Sequence, residues 1–174
     1  MFFKRLAELA DLADATWSFD TESKLFKAII AGNNNEVKEL LKRKIDWSRA
    51  TVRSGSLLLS LAMDDDAMLK DLLEAGIPVN AKDSENIHAL AYAIYKNNYY
   101  TVDLLLKHGA KVNMRFGQNQ RNPIMEAVIR GVDPKIVHKL MEYGANPNAA
   151  DLNNQTAISV AENQNQYLLV YLKV

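Results

Sequence analysis

The sequence predicts an all-α solenoid of stacked helix-turn-helix units joined by hairpin-like loops. Three observations predict it: the chain repeats itself at a period near 33 residues, each copy carries two short apolar stretches with helical spacing, and turn-forming residues recur where those stretches end. The repeat is clearest in "LLKRKIDWS" from Leu40, "LLEAGIPVN" from Leu72, "LLKHGAKVN" from Leu105 and "LMEYGANPN" from Leu140, spaced by 32, 33 and 35 residues. Self-similarity at such a period marks units too short to bury their own apolar faces. Stacked, they form one continuous core.

The first helix of each unit starts 16 to 18 residues before its string: "KLFKAIIAGN", "SLLLSLAMDD", "HALAYAIYKN" and "NPIMEAVIRG". The second helix places apolar residues at i, i+3 and i+4, as in Val37/Leu40/Leu41, Leu69/Leu72/Leu73 and Val102/Leu105/Leu106. Gly76, Gly109 and Gly144 follow the second helices, where a left-handed cap needs a residue without Cβ. Between the helices stand Gly32-Asn33, Asn97-Asn98, Gly131 and Asn165, glycine and asparagine being the residues that best tolerate positive φ. A fifth, shortened copy runs from "QTAISVAENQNQ" into "YLLVYLKV". The expected units are 21–50, 51–82, 83–115, 116–150 and 151–174. Before them, residues 1–20 space Phe2, Leu6, Leu9, Ala13 and Trp17 along one face, as a helix capping the open end of the stack would.

Composition excludes several function classes. Lys and Arg number 21, and so do Asp and Glu, which argues against a general nucleic-acid binder. The absence of cysteine removes disulfides, thiolate zinc sites and cysteine nucleophiles. Glu8, Asp11 and Asp14 interrupt any signal-peptide core, and no run approaches the ~18 apolar residues of a membrane span. A cytoplasmic protein is expected, with no membrane association.

Chemistry finds little support. Asp64-Asp65-Asp66 lacks calcium-loop spacing and reads as an inter-helix turn whose Asp caps the next helix. His88, His108 and His138 lie in different units without ligand spacing. No nucleophile elbow, phosphate-cradling glycine loop or paired carboxylates appear, so neither enzyme activity, metal nor cofactor is expected.

The period and the strings "LLEAGIPVNAKD" and "LLKHGAKVN" resemble the ankyrin repeat, over about residues 21–174. That family's helix-entry tetrapeptide Thr-Pro-Leu-His survives here as Ser23-Lys24-Leu25-Phe26, Ser56-Leu57-Leu58-Leu59, His88-Ala89-Leu90-Ala91, Asn122-Pro123-Ile124-Met125 and Thr156-Ala157-Ile158-Ser159. The Leu or Ile holds in every copy, the Pro in one and the His in none. One unit is also longer, with an extra residue expected in the stretch from Met114 to Gly117.

The resemblance implies that fingertips and the exposed ends of the first helices line a concave face that binds a protein. Carried over position by position, that face takes Val52, Arg53, Gly55, Met63 and Asp64 from the second unit, and Ser84, Glu85, Ile87, Tyr95 and Lys96 from the third. The fourth contributes Gln118, Asn119, Arg121, Ile129 and Arg130, and the fifth Leu152, Asn153, Gln155, Asn163 and Gln164. Lys107 to Arg121 holds four basic residues and no acidic one, and Arg115 and Phe116 sit in the lengthened finger. Arg and aromatic side chains dominate interface hot spots. The expected partner-binding set is therefore Arg53, Met63, Tyr95, Lys96, Arg115, Phe116, Arg121 and Arg130, facing a protein with an acidic surface; the competing expectation tucks Phe116 under its own finger.

Since the repeats fill nearly the whole chain, the expected action is by occupancy: a binding module, or alternatively a stoichiometric inhibitor or immunity protein. An accessory subunit of a partner enzyme is the third option. A monomer is expected, with Tyr167, Val170 or Tyr171 of the apolar C-terminus as the candidate dimer contact.

Overall fold

The computed structural model describes residues 21–43, 45, 47, 59, 63–83 and 85–173. The expected capping helix over 1–20 and the candidate Arg53 lie outside them. Among the described residues the first unit has α1 (Thr21–Ile30) and α2 (Asn34–Leu41). The second has α3 (Asp66–Glu74), preceded by Leu59, which is helical and fully buried. Then follow α4 (Ala89–Tyr95) with α5 (Tyr99–Lys107), α6 (Pro123–Arg130) with α7 (Pro134–Glu142), and α8 (Ala157–Gln164). A 3₁₀ turn over Gln166–Leu168 leads into α9 (Leu169–Leu172).

The helices form two layers. First helices pack on first helices, α4 on α6 and α6 on α8, while second helices run α2, α3, α5, α7 and α9 in a parallel file. Between the layers one cluster of buried side chains extends from Leu25 to Leu172. The i, i+3, i+4 triplets supply it: Val37 and Leu40, Leu69, Leu72 and Leu73, and Val102, Leu105 and Leu106 are all buried. Each such side chain is worth about 2 kcal/mol of removed apolar surface, which neither helix of a pair can hide unaided.

Every second helix from α3 to α7 ends in the same way. Gly76, Gly109 and Gly144 have φ of 81°, 86° and 80°, and the residue after each glycine (Ile77, Ala110, Ala145) donates its N–H back to Leu72, Leu105 or Leu140. That is the Schellman pattern, and it drives the following apolar side chain into the core. First helices end likewise at Gly32, Asn97 and Gly131, with φ of 65°, 52° and 58°. Asn165 departs from expectation with φ −140°. It does not make the left-handed turn, because its side-chain amide instead reaches back to the Val128 carbonyl at 2.7 Å and the chain enters the 3₁₀ turn.

Polar rungs tie consecutive units together. The Asn80 amide donates to the Gly109 carbonyl and its oxygen accepts from Lys111 N–H, at 2.9 and 2.8 Å; Asn113 repeats the pair with Gly144 and Asn146 at the same distances. In the first unit Trp47 takes over, its indole N–H donating to the Ala75 carbonyl at 2.8 Å. A second line joins the inter-helix turns, through Asn34 to Asp65, Lys96 to Asp64 and the Asp133 N–H to Asn97. The final Asn of the repeated string is thus a coupling residue in the second and third units, whereas Asn148 in the fourth makes no such rung. Its recurrence follows from stacking.

Candidate protein-interaction surface

Among the described residues three fingers project between the helix pairs. In the third unit Asp83 N–H donates to the Ile87 carbonyl and the Asp83 carboxylate accepts from the N–H groups of Glu85 and Ile87, closing a tight tip. Asp151 does the same in the fifth unit with Asn153 and Gln155. The residue before the closing position is left-handed in every finger: Asn86, Gln120 and Asn154, with φ of 61°, 51° and 59°. The fourth finger closes from Phe116 N–H to the Arg121 carbonyl. Its extra residue therefore lies in the tip between Phe116 and Arg121, rather than before Gly117. Adjacent fingers are joined by Gly117 N–H to Asn86 and Leu152 N–H to Asn119.

Phe116 thus stands where the other two fingers carry Asp. It cannot cap the tip, and its ring turns inward: it is only 2% exposed and meets the edges of His88 and Tyr95, with centroids 4.9 and 6.3 Å away. Below it, His88 begins α4. The Ala91 N–H donates to its Nδ1, leaving Nε2–H to donate to the Met114 carbonyl at 3.2 Å. Burial above all holds the imidazole neutral, lowering its pKa from 6.5 to about 4 against the pull of the Met114 carbonyl. Asn122 makes the equivalent two bonds at the start of α6, to Met125 N–H and the Asn146 carbonyl. The eroded tetrapeptide has kept its capping function with different residues.

At the exposed ends of the first helices lies a chain of charged and aromatic groups spanning three units. The Arg130 guanidinium sits 4.0 Å over the Tyr95 ring and donates to Glu126 at 2.7 Å. Arg121 approaches Glu126 at 3.4 Å and Asp151 at 3.7 Å. The last is an ion pair too long for a hydrogen bond, so the buried Arg121 Nε–H has charge compensation without an acceptor. Burial pushes the Asp151 carboxyl up, but the Gln155 and Asn153 N–H groups, the Asn153 side chain and Arg121 together hold it below the usual carboxylate range. Burial, with Glu126 nearby, raises the Tyr95 phenol.

The chain matches the family described as ankyrin repeats (3 copies), over residues 25–116 and 58–151. It belongs to the ankyrin repeat family. Among curated proteins it is similar to an ankyrin repeat protein of fowlpox virus (strain NVSL), 27% identical over 166 residues, which takes in 91% of this chain and 48% of the viral protein. It is also similar to ankyrin repeat and SOCS box protein 6 of Mus musculus, 33% identical over 88 residues, or 50% of this chain and 21% of that protein. A palmitoyltransferase of Homo sapiens, ZDHHC13, is 30% identical over 92 residues, or 53% of this chain and 15% of its own length. The chain thus spans less than half the length of these relatives. Ankyrin repeats generally mediate protein–protein interaction. No described helix is long and apolar enough to cross a membrane.

On this ankyrin scaffold the expected binding set divides. Tyr95, Arg121 and Arg130 come together as one array, and Lys96 stands beside it at the end of α4, paired with Asp64 at 2.6 Å. Phe116 and Met63, 2% and 1% exposed, are core residues, which corrects their assignment to the surface. Phe116 fills the space beneath its finger, and Met63 belongs to the cluster between the layers. Arg115 is exposed and donates to the Gln120 carbonyl. Nor is the array the basic patch that counting suggested, since two carboxylates match its two guanidinium groups. Glu126 and Asp151 went unnoticed as members. An acid four residues before Arg130 on one helix was the available signal for Glu126; Asp151 gave none short of aligning the fingers.

Proposed function

We propose that this chain is a non-enzymatic binding module that holds a protein partner on the face formed by its fingertips and the ends of α4, α6 and α8. The observation that carries this reading is the Tyr95–Arg130–Glu126–Arg121–Asp151 array. It fixes the partly exposed Tyr95, Arg121 and Arg130 in one arrangement through the buried carboxylates of Glu126 and Asp151, so little ordering entropy remains to be lost on binding. Around it the exposed Gln118, Asn119 and Asn153 offer hydrogen-bonding groups on fingers already tied to one another, and Asn163 offers one from α8. Loops held on a rigid scaffold are the usual seat of recognition.

Action by occupancy follows from such a surface: the bound partner is masked or inhibited stoichiometrically, inside the cytoplasm, by a monomer of this chain. The test is retention of a partner from native lysate by the wild type, by Gln118→Arg/Asn163→Arg and by Lys70→Glu on α3, all checked for helicity. Loss of the partner in the first variant alone is expected, and its retention there would refute the surface. Assay of that partner then decides the mode, since inhibition requires its activity to fall on binding and assistance requires it to rise.

A further inference from the structure

Most cations of the fingers and helices are already answered by carboxylates. Arg121 and Arg130 share Glu126, Lys96 meets Asp64, and Lys107 and Lys139 share Asp103. Lys82, Lys111 and Arg115 are placed differently. Lys82 and Lys111 line an open groove of about 550 Å³ between consecutive fingers, together with Asn80, Asn113 and Met114. Lys82 Nζ donates to the Arg115 carbonyl at 2.7 Å, and the Arg115 guanidinium donates to the Gln120 carbonyl at 2.8 Å. Neutral carbonyls hold Lys82 and Arg115 in position without cancelling their charge, and no described carboxylate lines the groove.

The rest of the lining says what kind of ligand fits. The Asn80 and Asn113 side chains are spent on the rungs to the next unit, so they are not free to read a ligand. What remains is an apolar strip, the Met114 side chain and the lysine methylenes, under a positive rim. We propose that this groove docks an acidic, extended segment of a protein partner, its carboxylates on Lys82 and Lys111 and an aliphatic side chain over Met114. Nucleic acid is the poorer fit: the chain carries no net charge, and two cations over a thioether offer no track for a phosphate backbone. The proposal rests on the protein-binding reading but uses a second surface, lined by no member of the Tyr95–Arg130 array.

Fluorescence anisotropy of the full chain tests it, with three labelled probes: a short peptide alternating Glu and Leu, its counterpart alternating Lys and Leu, and an oligothymidylate. The Glu-Leu peptide binds best, more weakly as salt rises. Lys82→Glu/Lys111→Glu weakens it by about tenfold or more, while Lys135→Glu on α7 leaves it unchanged. Lys82→Gln/Lys111→Gln, which adds no repulsion, gives an intermediate loss and serves if the charge-reversed form misfolds. No binding of the Glu-Leu peptide, equal loss in Lys135→Glu, or tighter binding of oligothymidylate overturns the proposal. Gln118→Arg/Asn163→Arg retains the peptide, so failure of the groove and failure of the finger face are told apart.

Discussion

At the scale of single residues, His88 shows how a departure from the family pattern is absorbed. It occupies an N-cap position, spends both ring nitrogens and packs edge-on against Phe116, a set of contacts open only to the neutral ring. Its folded pKa near 4 lies below the ordinary 6.5, so between those values the unfolded chain takes up a proton that the folded chain refuses. Stability is therefore full above about pH 6.5 and falls as pH drops towards 4, by on the order of 3 kcal/mol over the window. Asp151, with its pKa depressed, adds a further loss only at lower pH, as the carboxylate itself is protonated. Thermal unfolding of wild type and His88→Asn across this range checks the assignment. Asn reproduces the two bonds that Asn122 makes, so the variant's melting temperature should be flatter between pH 6.5 and 4; an unchanged slope would place the titration elsewhere.

At the scale of elements, the caps carry the repeat. Gly109 has φ 86° and open space around the position of a Cβ, so Gly109→Ala meets no steric neighbour and bears only the cost of left-handed backbone. The expected loss is about 1–2 kcal/mol in denaturant unfolding with an unchanged m-value, and a neutral variant would mean that the cap is not strained by a side chain. The helices, their ends and the rung asparagines were legible in the sequence because stacking forces the same residue types to recur. The fingers were less so. Phe116 looked like an exposed hot spot in a polar loop, yet it replaces the tip-capping Asp and has nowhere to go but inward. Arg121 and Arg130 looked like free charge because their partners, Glu126 and Asp151, come from a helix interior and from another finger. Asn165 fitted the turn pattern by residue type alone, while its conformation is set by a contact with the preceding unit.

At the scale of the whole molecule, the units are coupled by rungs as well as by the core. Asn113→Ala removes both bonds of the rung between the third and fourth units. It should cost about 1–3 kcal/mol and speed hydrogen exchange at the Asn146 amide, whereas Asn148→Ala, outside any such rung, should stay within about 0.5 kcal/mol of wild type. Equal effects of the two would mean that the rungs do not couple the stack. Such coupling lets three units present one fixed array, and that array is the basis for assigning protein binding to this face. The most direct test places a photo-crosslinking amino acid in turn at Gln118, Asn163, Lys42 and Lys70, with the crosslinked peptides located by mass spectrometry. The account predicts one partner joined from Gln118 and Asn163 and none from Lys42, just past the end of α2, or Lys70 on α3. Crosslinks confined to Lys42 and Lys70 would contradict it, placing the binding surface on the opposite layer.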